Sequence, residues 1–156
     1  MAKTKSIRDA LRSTFYPHVI SLGFDVDNRW QPQFVVFRRF VADKVDIFDI
    51  QWDKYHRPKF VINFSEAPLE GVEFGGKFIA ARDLMVAHCG TFHRLVRDQS
   101  KFTYRWFQLR RPLKEQALKF RRNYEPDEIA SQVIHRFSEI EDWWEDKTIG
   151  KHVQIF

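Results

Sequence analysis

Residues 34–65 read FVVFRRFVADKVDIFDIQWDKYHRPKFVINFS, and their reading decides the fold. Three runs rich in Phe, Val and Ile are separated by two turn-forming stretches, Ala42-Asp43-Lys44 and Lys54 to Pro58. In the second run Phe48, Ile50 and Trp52 alternate with Asp49, Gln51 and Asp53. In the third, Phe60, Ile62 and Phe64 alternate with Val61, Asn63 and Ser65. Side chains alternate across a strand, so these runs predict an antiparallel meander with one apolar face and one partly polar face. The first run leaves its face open, because Phe34, Val36 and Phe40 compete with Val35, Phe37 and Val41. If Trp52 sits opposite Phe60, Asp53 falls opposite Lys59 and Asp49 opposite Asn63. A tight Asp43-Lys44 turn would set Arg38 against Asp49; a turn of three residues would set Arg39 against Ile47.

Helical patterns surround the meander. Ile7, Leu11, Phe15, Val19 and Leu22 share one face of an amphipathic helix over residues 4–22. Pro17 interrupts that pattern and predicts a kink or restart, and Gly23 is placed to end it. This helix most naturally covers the apolar sheet face. Residues 66–78 read as a loop or short edge strand, and residues 79–88 as a short helix. Residues 102–109, FTYRWFQL, form the best fourth strand. There the alternation would bury Tyr104 and Trp106 and leave Arg105 outside. Helical patterns occupy 113–123 and 126–146, the second opened by Pro126 and carrying Ile129, Val133, Phe137 and Ile140 on one face. The expected fold is therefore α+β, one domain over residues 1–156. An antiparallel sheet of about four strands (the meander 34–65 plus a strand near 102–109) packs against an N-terminal helix and C-terminal helices.

The segment ALRSTFYPHVISLGF followed by strands VVFRRF, VDIFDIQW and KFVINF resembles the domain of unknown function 4304 family over roughly residues 7–65. Trp143 and Trp144 add weaker agreement. The third strand closes here on Asn63-Phe64-Ser65, where the family pattern has an Asn-Leu-Gly type ending. The resemblance implies an α+β fold and carries no activity or catalytic residue to transfer.

Composition narrows the classes. A chain of 156 residues with 16 Phe, 5 Trp and 4 Tyr supplies a full core without staples. The single cysteine, Cys89, excludes an intrachain disulfide and fits a reducing compartment. Asp9 and Arg12 stand where a signal peptide would be apolar, and no apolar run reaches the length of a membrane span. A cytoplasmic protein without membrane contact is expected.

The formal net charge of +5 is unevenly placed. Residues 94–122 are strongly basic, and residues 125–146 are strongly acidic. The plain reading is mutual neutralisation within one fold. The functional alternative is an exposed basic face, with Arg105, Arg110 and Arg111 interleaved with aromatic residues in a manner suited to nucleic acid. No helix-turn-helix or RNA-binding signature accompanies it. Trp143 and Trp144 are adjacent and cannot both face one core, so Trp144 is a candidate contact for a protein partner or a second copy. Within the sheet, Arg38, Arg39, Asp49 and Asn63 are candidate binding residues. Their plain reading is a cross-strand ion pair contributing about 0.2–1 kcal/mol. Their functional reading is a polar pocket, which an enzyme would need. His88, Cys89 and His93 (HCGTFH) lack recognised metal-ligand spacing, and Gly75-Gly76-Lys77 is not a phosphate-binding loop. No catalytic residue, metal or cofactor is indicated. A non-enzymatic binding or protein-interaction domain leads, followed by a nucleic-acid or anion-binding module, then an enzyme.

Overall fold

A computed structural model describes residues 2–99 and 105–156. The chain opens helically: α1 (Ala2–Ala10), a π turn over Leu11–Phe15 and α2 (Tyr16–Ser21) follow one another directly. The π turn answers the Pro17 expectation. Proline has no N–H to give, and its ring crowds the carbonyl one turn back, so the helix widens just before it. Ser13 and Thr14 also donate to the Asp9 and Ala10 carbonyls inside this stretch. Gly23 then reverses the chain at a φ of 99°, which a side chain would resist.

Next come β1 (Asp25–Asp27), β2 (Phe34–Val41), β3 (Lys44–Trp52) and β4 (Lys59–Pro68). Trp52 faces Phe60, and with that pairing Asp49 faces Asn63, the register considered for this hairpin. The first hairpin departs from both expected registers. Its turn is Ala42-Asp43, so Val36 faces Asp49, Arg38 faces Ile47 and Arg39 faces Asp46. The aromatic pairing sets this register: Phe37 stacks on Phe48 at 4.5 Å. A slip of one residue would carry Phe37 to the other face.

A hairpin, β5 (Gly71–Phe74) and β6 (Lys77–Ala80), occupies the stretch expected to be loop or edge strand. Gly75 and Gly76 turn it with positive φ at both positions, as a two-residue hairpin requires. The helix expected at 79–88 does not form. The end of β6 and two short 3-10 turns, Ala81–Asp83 and Val86–Cys89, take its place. Three further strands are β7 (His93–Leu95), β8 (Phe107–Gln108) and β9 (Val153–Ile155), with α3 (Leu113–Lys119) and α4 (Pro126–Asp146) between the last two. Of the expected fourth strand, residues 102–104 lie outside the described residues. Phe107 faces Phe60 and Gln108 faces Lys59. Phe107 is buried and stacks on Phe60, whereas Arg105 and Trp106 are both half-buried, the reverse of the expected alternation.

Among the described residues the main sheet has seven antiparallel strands, ordered β1-β2-β3-β4-β7-β9, with β8 also on β4. The sequence predicts four because β1, β7 and β9 are too short for an alternating signal, and of the fourth, near 102–109, β8 spans Phe107–Gln108. One face packs under the helices. Ile7, Leu11, Phe15 and Val19 meet Phe37, Phe48, Ile50 and Phe64, and α4 adds Val133, Phe137 and Ile140. The opposite face is only half polar. Val36, Val45, Ile47 and Ala67 are covered there by Ala81, Leu84 and Val86.

Candidate functional site

The sequence candidates separate once folded. Arg38 is buried, donating to the Leu84 carbonyl and pairing with Asp27 at 2.9 Å. It anchors the covering segment to the sheet. Arg39 lies on the helix-covered face, paired with Asp46 at 2.7 Å and Glu141 at 3.0 Å and set over the Phe24 ring. Neither arginine reaches Asp49, so the expected convergence does not occur. Trp144 is buried, with its indole N–H donating to the Ser65 carbonyl at 2.8 Å. Trp143 is buried too, against Phe64 and His93. Because α4 lies against both the sheet and the first helix, its buried arc admits adjacent positions, and Trp144 presents no exposed contact. Arg111 is also buried, joining the basic and acidic blocks through Glu128 at 3.3 Å. Arg110, Lys114, Lys119, Arg121 and Arg122 are exposed and make no ion pair among the described residues. Mutual neutralisation is therefore incomplete.

Asp49 and Asn63 do meet. The Asn63 amide donates to Asp49 at 2.8 Å and to Gln51 at 2.9 Å, and Arg94 donates to the Asn63 oxygen at 2.8 Å. Burial pushes the Asp49 carboxyl up to about 7, with the Asn63 amide and the Arg94 charge acting against that rise. Nearby Cys89 is raised to about 11, chiefly by burial, so it stays a thiol rather than a nucleophilic thiolate. His88 accepts from the Met85 N–H. Among the described residues no three metal-ligating side chains converge. This row is a hydrogen-bonded network linking three strands, with Arg94 also reaching Gln51 at 3.3 Å.

The exposed site lies at the other end of the meander. Three depressions adjoin there, each sharing lining residues with the next. The first, about 150 Å³, is lined by Arg8, Trp52, Lys54, His56 and Arg57. The second shares Arg57 and adds Lys3, Lys59 and Arg110. The third shares Arg110 and Asn123 and adds Arg122. The carboxylate among their lining residues is Asp53, buried and held by Arg57 at 2.8 Å, with Lys59 at 3.9 Å. The Arg57 hydrogen bond keeps its pKa below the usual carboxylate value. Tyr55 projects beside the groove, 66% exposed, with Lys54 and Arg57 within 4.9 and 5.2 Å of its ring. Arg110 is the one sequence candidate in this groove; Arg105 is half-buried and engaged, and does not line it. The turn DKYHRPK, with Lys54, His56, Arg57 and Lys59, is a legible local signal. Lys3, Arg8 and Arg122 are brought to it only by folding.

Seven cations and one neutralised carboxylate along the groove exceed the +5 of the whole chain, so the remaining surface carries no net positive charge. Such a strip favours an anion whose charges are spaced along a chain. The chain matches no protein-family model, no curated protein and no solved structure.

Proposed function

We propose that this protein is a non-enzymatic binding module for single-stranded nucleic acid, held by its phosphates in the groove between α1, the β3–β4 turn and β8. The observation that carries this is the continuous row of cations from Arg8 to Arg122 with a single, internally satisfied carboxylate. Tyr55 favours a single strand over a duplex, since an exposed ring flanked by cations suits base stacking. Fluorescence anisotropy with a labelled oligonucleotide at two salt concentrations tests it. Binding should weaken steeply with salt. Replacing Lys3, Lys54, Arg110 and Arg122 by alanine should lower the log–log salt slope by about 0.7 for each phosphate no longer neutralised. It should also reduce affinity on the order of a hundredfold at low salt. Arg111 does not belong in that variant, because its buried pairing makes its loss a stability change. Salt-independent binding, or none at low salt, would sink the proposal.

A second reading, the protein interface that leads from sequence, draws on α3. Leu113, Leu118 and Phe120 are 63%, 70% and 95% exposed, and Phe120 ends the helix at a φ of 53°. A bulky residue exposed in a left-handed conformation invites a partner. The occupant that fits is a second copy of this chain. The start of α4 offers a shallow depression whose lining includes Asp127, Glu128 and Arg136, and a two-fold axis would seat each basic α3 on the other copy's α4, against Asp127. Sedimentation should then show a dimer, dissociated by Leu118→Asp. A monomer at high micromolar concentration would exclude it.

A further inference from the structure

The first of the three depressions differs from the other two in kind. It is the smallest and least open of the three, a partly open recess at the end of the groove beside Arg57. A volume of about 150 Å³ is that of an engineered cavity known to take one benzene-sized ring. Trp52 forms one wall, with the Arg8 guanidinium 4.0 Å from the centre of its ring. Pro32 and Gln33 form another.

The hydrogen-bonding groups around it are partly committed. The His56 carbonyl accepts from Thr4, and the Pro32 carbonyl accepts from Arg8 at 2.8 Å. The Asp53 carboxylate accepts from the Arg57 side chain and from two backbone N–H groups. The Gln33 amide, the other Arg8 N–H groups and the His56 ring have no protein partner among the described residues. A guanidinium has five donors, and an amide offers both donors and an acceptor. What remains is a ring-sized space whose flat surface is the Arg8 guanidinium stacked on the buried Trp52 ring, with an uncommitted mixed donor–acceptor edge. An extruded base is recognised by those two features, a flat face to stack and an edge of donors and acceptors.

Resting on the groove reading above, we infer that this cavity holds one unpaired nucleobase of the bound strand. Its flanking phosphates run out over Arg57 toward Lys59 and Arg110. Continuity with the cationic groove is what selects a base on a strand over a free uncharged small molecule. Size is what excludes an intact base pair.

The test compares a labelled oligothymidylate with an abasic strand of equal length and charge, by anisotropy at fixed salt and across a salt series. The base-bearing strand should bind about tenfold to a hundredfold more tightly, with an equal salt slope. Tyr55 can stack a base as well, so Gln33→Ala and Arg8→Ala decide where the preference arises. Each should shrink the ratio between strands several-fold. Equal binding of the two strands, or a preference that survives both substitutions, overturns the base pocket while leaving the groove standing. Failure of both strands to bind at low salt removes the groove reading, and this inference with it.

Discussion

The two ends of the meander use the same residue types to opposite effect. At the Ala42-Asp43 end, Arg39, Lys44 and Lys147 share Asp46, Glu66 and Glu141 at 2.7 to 3.1 Å. Lys44 and Lys147 also donate to carbonyls at the end of α4, where the helix dipole is negative. At the Lys54–Pro58 end, seven cations line a groove that holds one carboxylate. Cations matched by carboxylates cross-link the fold. Cations left to solvent on a concave surface repel one another and stay there at some cost in stability. That difference, more than the total charge, is what separates a structural network from a binding face.

The largest effect is expected at the paired end. Arg39→Ala leaves the buried Asp46 with Lys44 as its remaining ion-pair partner and frees Glu141, and should cost about 3 kcal/mol in denaturant unfolding. Oligonucleotide affinity should not change. An unaltered unfolding midpoint would mean that the paired end is no more structural than the groove.

Asp49 lies between the two ends and gives the next effect. Its folded pKa of about 7 lies above the roughly 3.9 of an unfolded chain, so the folded state binds the extra proton between those values. Its contribution to stability therefore falls as pH rises from about 4 to about 7 and is level above that. His88 and His93, lowered by burial, act in the opposite direction, adding stability as pH rises toward the ordinary histidine value of about 6.5. The clean readout is thus Asp49→Asn against the parent. The variant's advantage in unfolding free energy should grow by roughly 2 kcal/mol between about pH 5 and about pH 7. Parallel pH profiles would show that Asp49 titrates normally.

Smaller effects sharpen the groove. Tyr55→Ala should lower affinity for a single strand about tenfold and leave the salt slope alone. A loss confined to the slope would mean that Tyr55 contributes no stacking. Smallest of all is the stability change on replacing Lys54 and Arg122 together by alanine. Both are exposed, so unfolding should shift by less than about 0.5 kcal/mol while the salt slope drops. A large destabilisation would place these cations in the same class as Arg39.

Much of the fold is legible in the chain. Periodic patterns in Phe48 to Trp52 and Phe60 to Phe64 name the strands and their faces, because alternation is a local consequence of strand geometry, whereas the Trp52–Phe60 pairing is a matter between strands. The same holds for Ile7 to Val19 and for Ile129 to Ile140, whose helical spacing puts them into one core. What escapes a sequence reading is short or shared. Strands of two or three residues carry no period. The segment 79–88 reads as a helix, although its apolar residues serve as a cover over the second sheet face. Trp144 reads as exposed because a single helix has one inward face, whereas α4 has neighbours on two sides. The site is less legible than the fold. One turn of the groove, Lys54 to Lys59, is written locally, but its partners come from positions near 3, 8, 110 and 122.

The α+β class, the meander and the helices are local properties of the chain, since each follows from the spacing of apolar residues along a few turns or a few strand positions. Tertiary structure alone decided which cations were matched. Attraction between charges depends on distance and on removal from water, and neither is a property of neighbours in the chain. Arg38, Arg39 and Arg111 were drawn into ion pairs, while Lys54 and Arg122 were left facing solvent.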